Sequence, residues 1–234
     1  MTSPSITISN VVEFVKVVKY FSTLSQKAIF EILDNKCTIS SAVELGSITK
    51  TVIKITPENP INCSDVSVIF EVSSLLNNLK LLGKIPELKF EITKDTIKII
   101  SRGIEEWELI THCKPCSPQK EEIFDYTHSI DIKSKEITDY IKRLSVNDDV
   151  INIITKENKM YLTTTKASII IVDSETENGL NLKVPSLTFN KISKGNVFSP
   201  MLIMCFGNEC PVLFEYTTKD EQLTVQVNCS TILN

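Results

Sequence analysis

A stretch of sequence that occurs twice restricts the fold of this chain more than any other feature. The first copy, residues 70–82, reads FEVSSLLNNLKLL, and the second, residues 182–194, reads LKVPSLTFNKISK. Three identities align the copies: Val72, Ser74 and Leu75 match Val184, Ser186 and Leu187. Each copy has the pattern of a strand that leads, through a Ser or Pro helix-start signal, into a short amphipathic helix with lysines near its end.

A second pair of similar segments follows in the same order. Phe90-Glu91 precedes Thr93-Lys94-Asp95 in the first half, and Phe214-Glu215 precedes Thr218-Lys219-Asp220 in the second. Two recurrences in one order predict two copies of one domain, and 234 residues leave room for both. We therefore expect an N-terminal domain at 1–113, a proline-containing linker without periodicity at 114–127, and a C-terminal domain at 128–234.

The spacing of apolar residues predicts the same order of elements in both halves. Helices are predicted at 11–21, 73–82, 134–144 and 185–194. Strands are predicted at 5–9, 28–33, 36–41, 48–55, 66–72, 87–92, 96–101, 105–112, 128–132, 149–155, 159–164, 167–173, 180–184, 200–206, 211–217 and 222–228. Consecutive strands can pair as hairpins, so we expect an α+β fold in which each half has mostly antiparallel sheets and two helices on one face.

Composition excludes several classes of protein. Hydrophobic residues make up 42% of the chain and glycine and proline are scarce, which is typical of a globular protein. The net charge of −4 argues against coating nucleic acid through overall charge, although it allows a local basic surface. The N-terminus lacks the pattern of a signal peptide, and no apolar run reaches the ~20 residues of a membrane span. We therefore expect an intracellular protein that does not contact a membrane.

Cysteines and histidines give little support for an active site. The seven cysteines are irregularly spaced, which favours reduced thiols. The chain has no Gly-rich phosphate loop, Gly-x-Ser-x-Gly elbow or His-Glu-x-x-His motif, so we expect no enzyme activity and no cofactor. One cluster leaves alternatives open. Cys113 and Cys116 have the spacing of half a zinc site, for which His112 or His128 would be a further ligand. The same spacing also fits a redox pair, or simply two thiols at the point where a strand meets a linker.

Basic residues occupy outer positions on all four predicted helices. They are Lys16, Lys19, Lys80, Lys84, Lys135, Lys142, Arg143, Lys191 and Lys194. On one helix such lysines are typical of a solvated face and suit the helix dipole. Their presence on all four helices of an acidic chain predicts a basic surface that contacts phosphates without reading sequence. Glu13, Glu136 and Asp139 lie among them, so the positive field should be modest.

With its duplicated halves, linker and basic helices, the chain resembles a DNA sliding clamp, the family of proliferating cell nuclear antigen. The resemblance covers almost the whole chain, and the best local matches lie at 104–110, 129–144 and 211–216. The last of these reads PVLFEY and is similar to a strand near the C-terminus of clamps. The resemblance implies two sliding-clamp domains per chain and a homotrimeric ring of about six such domains.

The resemblance also implies roles for particular residues. The basic helix residues named above would line the hole and face double-stranded DNA. Edge strands at 104–112 and 168–173 would join neighbouring subunits, with Trp107, Leu109, Ile169, Ile170 and Ile171 at the interface. An apolar edge such as 169–172 promotes aggregation when it is unpaired, and a closed ring removes that edge.

A groove beside the linker would bind partner peptides. By position its walls would be Ala42, Leu45, Ile48, Ile123, Phe124, Cys229 and Ile232. The implied partners are a DNA polymerase, other clamp-binding proteins and a clamp-loader ATPase, in the nucleus of a eukaryotic cell or at a viral replication site.

Two departures indicate a divergent member of the family. The linker has Lys120-Glu121-Glu122-Ile123-Phe124 where clamps usually have a Leu-Gly-Ile-Pro-like segment, and the helices are less basic than usual. The alternative is a clamp-fold subunit that does not encircle DNA alone, either in a heteromeric checkpoint-type ring or as a viral transcription or replication factor.

Overall fold

A computed structural model of the chain describes residues 4–57, 65–82, 85–101, 106–120, 122–146, 148–172, 179–207 and 210–232. Its four helices are α1 (Val11–Phe21), α2 (Val72–Leu81), α3 (Ser134–Ser145) and α4 (Ser186–Ile192), and a 3₁₀ helix at Ser193–Val197 follows α4. The strands of the first half are β1 (Ser5–Ile8), β2 (Lys27–Leu33), β3 (Lys36–Ser41), β4 (Ile48–Ile55), β5 (Val66–Glu71), β6 (Leu88–Ile92), β7 (Thr96–Ser101) and β8 (Trp107–Pro115). Those of the second half are β9 (His128–Lys133), β10 (Val150–Lys156), β11 (Lys159–Thr163), β12 (Ser168–Val172), β13 (Asn181–Pro185), β14 (Met201–Phe206), β15 (Val212–Thr217) and β16 (Leu223–Cys229).

The chain forms two compact units. The first consists of Met1–Val43, Thr51–Glu121 and Thr218–Val225, and the second of Glu44–Lys50, Glu122–Thr217 and Gln226–Asn234. Strands β4 and β16 therefore contribute residues to both units. Each unit contains two of the four helices.

In the first unit the strand order is β1-β6-β7-β8-β5-β2-β3-β4. The pairings with a described register are all antiparallel. Strand β8 changes partner along its length, because Trp107–His112 pair with β7 and Cys113–Pro115 pair with β5. Helix α1 begins at Asn10, whose side chain accepts a hydrogen bond from Glu13 N at 3.2 Å. The core of the unit includes Phe14 and Phe90, whose ring centroids lie 5.5 Å apart.

In the second unit the strand orders are β9-β14-β15-β16 and β12-β11-β10-β13. The pairings with a described register are again antiparallel. Helix α3 buries Ile137, Ile141 and Leu144, whose spacing of four and three residues places them on one helix face. Phe189 of α4 packs against Phe214 of β15 with ring centroids 5.2 Å apart.

Every predicted helix and strand is present, and the α+β class with antiparallel sheets is confirmed. Two elements differ from their predicted bounds by more than one residue at an end. Strand β8 continues to Pro115, because pairing with β5 keeps its last residues extended. The predicted helix 185–194 is α-helical only to Ile192 and then tightens into the 3₁₀ helix. Within the described part of the chain, no helix combines the length and apolar character that crossing a bilayer requires.

Candidate functional site

The basic residues of the helices lie mostly on the surface. Those exposed are Lys19, Lys80, Lys135, Lys142, Arg143, Lys191 and Lys194. Lys16 is partly buried and its Nζ lies 2.7 Å from Glu13 Oε1, so part of its charge is already neutralised. Lys84 lies outside the described residues. The exposed cations could contact phosphate groups, although those in the last turns also favour the helix dipole.

The predicted interface residues lie on two strand edges, one in each unit. Strand β12 ends the order of its sheet and pairs only with β11 among the described residues. Residues Trp107–His112 pair only with β7 in the same described part of the chain, since pairing with β5 starts at Cys113. Residues 104–105 and 173 of the predicted edges lie outside the described residues.

Hydrogen bonds at the ends of these edges show which backbone groups point outwards. Cys113 N donates to Asp95 O at 2.9 Å, so the backbone N–H and C=O groups of Cys113 point towards β7. Because the direction of these groups alternates along a strand, those of Thr111, Leu109 and Trp107 also point towards β7. Those of Glu108 and Ile110 then point away from β7. Thr164 N donates to Ala167 O at 2.8 Å, and by the same alternation the backbone groups of Ser168 and Ile170 point away from β11.

The side chains on both edges are largely apolar. Trp107, Ile110 and Ile170 are exposed, and Leu109, Ile169 and Ile171 are half-buried. The strands at the other sheet ends have different protection. Strand β1 is only four residues long, β9 carries exposed Asp131 and Lys133, and Lys183 O of β13 accepts a hydrogen bond from Ile232 N at 2.9 Å. Charge and short length discourage pairing with another chain, so β8 and β12 are the edges suited to a partner strand.

Two exposed apolar residues beside these edges were missed by sequence reasoning. Leu81 is 68% exposed at the end of α2, the helix whose Asn78 Nδ2 donates to Ile110 O of β8 at 3.0 Å. Val146 is 83% exposed just after α3, two residues before Asp148, which accepts from Thr165 N at 3.0 Å. Each is an apolar residue close to lysine or arginine at the end of a helix, and that signal could have found them.

The predicted groove residues fall in both units. Ala42 belongs to the first unit and is partly buried. In the second unit Leu45, Ile123 and Ile232 are exposed and Phe124 is half-buried. Ile48 and Cys229 are 2% and 0% exposed, so they lie beneath the surface there, and burial raises the pKa of the Cys229 thiol to about 12.

Hydrogen bonds hold the surroundings of the groove residues in the second unit together. Ser230 N donates to Ser47 O at 2.8 Å, which places the C-terminal segment beside the loop that carries Leu45. The Tyr126 hydroxyl donates to Asn228 Oδ1 at 3.5 Å, and its ring lies 6.0 Å from that of Phe124. The second unit therefore brings Leu45, Phe124 and the C-terminal segment to neighbouring positions.

The Cys113 and Cys116 pair lies on extended chain. Cys113 belongs to β8, and Cys116 N continues the ladder by donating to Ser67 O at 3.1 Å. Residues three apart on a strand point to opposite faces, so the two thiols do not converge on one ion. Burial, followed by the nearby Asp95, raises the pKa of the Cys113 thiol to about 11, which disfavours the thiolate that zinc and redox chemistry need. No group of three potential metal ligands is found among the described residues.

Comparison with known proteins gives one kind of match. No protein-family model and no curated protein matches the sequence. Among solved structures, proliferating cellular nuclear antigen from Entamoeba histolytica matches with a TM-score of 0.83 over 100% of both chains, at 15% sequence identity. At this identity the match shows the fold, and it confirms the expected sliding-clamp fold along the whole chain.

Proposed function

We propose that this chain, which has the fold of a sliding clamp, also works as one. Several copies close into a ring around double-stranded DNA and tether a DNA polymerase and other clamp-binding proteins to it. The protein carries out no chemistry of its own and binds DNA without regard to sequence. A clamp-loader ATPase opens the ring, in the nucleus of a eukaryotic cell or at a site of viral replication.

The observation that carries this proposal is the pair of apolar strand edges, β8 on one unit and β12 on the other. Within the described ranges, no strand of the same copy pairs with the outer side of Trp107–His112 or of β12, whereas pairing β8 of one copy with β12 of the next closes both edges. Because the two edges differ, the contact is heterologous, and heterologous contacts that close produce rings. We expect three copies in the ring.

An antiparallel alignment of the two edges supports the pairing. It joins the outward backbone groups of β8 to those of β12. The opposed pairs are Trp107 with Ile171, Glu108 with Ile170, Leu109 with Ile169, and Ile110 with Ser168. Two of these pairs are wholly apolar and lie on one face of the joined sheet, where each contributes about 0.2–1 kcal/mol.

The helices supply the proposed contact with DNA. Their exposed lysines and arginine match a phosphate backbone, and their modest number favours weak contacts that permit sliding. A polymerase tethered to such a ring rebinds its template at a high effective concentration after each dissociation.

Size-exclusion chromatography with light scattering tests the ring. The wild-type protein should be a trimer, and both Trp107→Glu and Ile170→Glu should be monomers, because each variant disrupts one side of every interface. In a mixture of the two variants, the Ile170→Glu copy keeps an intact β8 and the Trp107→Glu copy keeps an intact β12. These two edges can pair once, so the mixture should give a heterodimer and nothing larger. Ile123→Glu adds the same charge at an exposed apolar residue of the linker and should remain a trimer.

Two results would overturn the proposal. A wild-type protein that stays monomeric at high concentration has no self-sufficient ring. A variant altered in one edge only that still forms trimers shows that this edge is outside the interface. As a second line, a ring loaded on DNA should stay on nicked circles and run off linear duplexes.

A heteromeric clamp-fold subunit is the second candidate function. It is favoured by the neutralisation of Lys16 by Glu13 and by the linker segment 120–124, which differs from the usual clamp pattern. A monomer that co-purifies with two unlike clamp-fold partners and does not stimulate a polymerase would select it.

A further inference from the structure

A buried carboxylate lies under the beginning of the linker in the first unit. Glu31 of β2 is only 6% exposed, although it interrupts the apolar run Ala28–Leu33. Its Oε1 accepts hydrogen bonds from the backbone N of Gln119 at 2.8 Å and from Ser67 Oγ of β5 at 3.1 Å. A buried acidic group is stabilised by such donors, and hydrogen bonds to a charged acceptor are the strong ones.

The side chain of Gln119 is bonded at both of its polar atoms. Its Oε1 accepts from Ser40 Oγ at 3.0 Å, and its Nε2 donates to Ser41 O at 3.3 Å. Both serines are buried near the end of β3. One linker residue therefore makes three hydrogen bonds to the β2–β3 hairpin, which is unusual for a connection between domains.

Cys116 secures the same segment a few residues earlier. Its backbone N donates to Ser67 O at 3.1 Å, and its Sγ lies 3.2 Å from Ser67 Oγ. Cys116 thus lies alongside β5, and Gln119 lies over the face of β2 and β3 that carries Glu31 and Ser40. Gln119 therefore helps to bury Glu31, while Phe30 and Ile32 are buried on the opposite face of β2.

We propose that Glu31 and Gln119 form a latch that fixes the first part of the linker and leaves the part that follows Gln119 available to a partner. The latch holds residues 116–119 on the sheet of the first unit. The segment after it includes Ile123, which is 91% exposed.

This inference deepens the proposed function and rests on it for its biological meaning. Gln119 binds the carbonyl of Ser41, the residue before Ala42, so the latch lies next to one proposed wall of the partner groove. A fixed start reduces the length of linker that a partner must order on binding. Gln119 and Glu31 are therefore positioning residues and need not touch the partner.

Thiol labelling followed by peptide mass spectrometry tests the latch in the full-length protein. Because Cys116 Sγ lies against Ser67 when the latch is closed, Gln119→Ala should speed maleimide labelling of Cys116 about tenfold or more. Glu31→Gln keeps an acceptor oxygen but removes the charge that strengthens the bond from the Gln119 backbone N, so it should also speed labelling, by less than Gln119→Ala does. Glu122→Ala, an exposed linker residue outside the latch, should not change the rate. Hydrogen exchange should show a protected Gln119 amide and fast amides at 122–124.

The inference is overturned if Gln119→Ala labels Cys116 at the wild-type rate, or if the Gln119 amide exchanges as fast as those at 122–124. It is also overturned if the variant speeds labelling of Cys205 and Cys210 in the second unit by the same factor, because that would be general destabilisation. None of these measurements needs a ring or a partner. A protein that never trimerises would therefore contradict the proposed function and still leave the latch with a definite result.

Discussion

At the scale of single residues, Asp220 joins the turn at 218–222 to the beginning of α1. Its Oδ2 accepts from Asn10 Nδ2 at 2.7 Å, and its Oδ1 accepts from Thr218 Oγ1 at 2.5 Å and from Gln222 N at 3.2 Å. Partial burial would raise the pKa of this carboxyl, but the hydrogen bonds from Thr218, Asn10 and Gln222 outweigh it and hold the pKa below 3.8. The ionised form is therefore the one that the folded protein favours.

Asp220→Asn should destabilise the protein in a pH-dependent way. A carboxyl whose pKa is lower in the folded state contributes stability above its unfolded pKa and loses it as pH falls through the folded pKa. Since Asp220 is largely exposed, we expect a loss of only about 0.5–1 kcal/mol at pH 7. Urea unfolding at pH 7 and at pH 3 measures this, and the difference from wild type should shrink at the lower pH. A constant difference would mean that the charge of Asp220 is irrelevant.

The sequence predicts the exposure of single residues better than their partners. The helical period placed Lys142 and Lys191 on the surface, where the structure has them. By contrast, the bond from Gln119 to Glu31 joins residues 88 positions apart, and no local pattern indicates it. The burial of Cys229 likewise depends on packing between distant segments, so its place among the groove residues could not be judged from the sequence.

At the scale of elements, Gly195 determines how α4 ends. A Cβ at this position would lie 2.7 Å from Tyr216 Cζ, and the ring is fixed because its hydroxyl donates to Ile192 O at 3.0 Å. Tyr216 is fully buried, so it has little room to move. The close approach of ring and backbone accompanies the change from α-helix to 3₁₀ helix at Ser193.

Gly195→Ala should cost about 1–3 kcal/mol of unfolding free energy, because overpacking forces the ring or the helix to shift. Denaturant unfolding in a double-mutant cycle with Tyr216→Leu tests the cause. The smaller side chain removes the clash, so adding Gly195→Ala to Tyr216→Leu should cost much less than adding it to wild type. Equal costs in both backgrounds would place the effect elsewhere.

Elements were predictable where a local pattern decides them. The strands β3, β4 and β7 lie at the predicted positions, and α1 has its predicted bounds of 11 and 21. The extension of β8 to Pro115 depends on pairing with β5, and the change to 3₁₀ helix after α4 accompanies a close contact with Tyr216; both partners lie far away in sequence. The duplication predicted the order of elements but could not show which strand edges remain unpaired.

At the scale of the whole molecule, the proposed DNA contact should depend on α3 more than on α1. The last turn of α3 carries two adjacent exposed cations, Lys142 and Arg143, whereas Lys16 of α1 is half-buried and its Nζ lies 2.7 Å from Glu13 Oε1. Replacing Lys142 and Arg143 by alanine should weaken binding to duplex DNA. It should also lower the slope of log affinity against log salt by about 0.9 for each phosphate that the variant no longer neutralises. Lys16→Ala, and Lys36→Ala at the start of β3, should change little. Fluorescence anisotropy across a salt series measures this, and an equal effect of Lys16→Ala would contradict the assignment.

Ring formation and partner binding should be separable at Ile123. This side chain is 91% exposed in the second unit and lies outside both proposed edges, so a partner peptide would bury it with little rearrangement of the ring. Burying an isoleucine side chain contributes about 1.5–3 kcal/mol, so Ile123→Glu should raise the clamp concentration needed for half-maximal polymerase stimulation by about tenfold or more. The same variant should remain a trimer and stay on nicked circular DNA. Met201→Glu places the same charge at an exposed apolar residue of β14 and should stimulate the polymerase as wild type does. Full stimulation by Ile123→Glu would remove the linker from the partner groove, and loss of both trimer and stimulation would assign Ile123 to assembly.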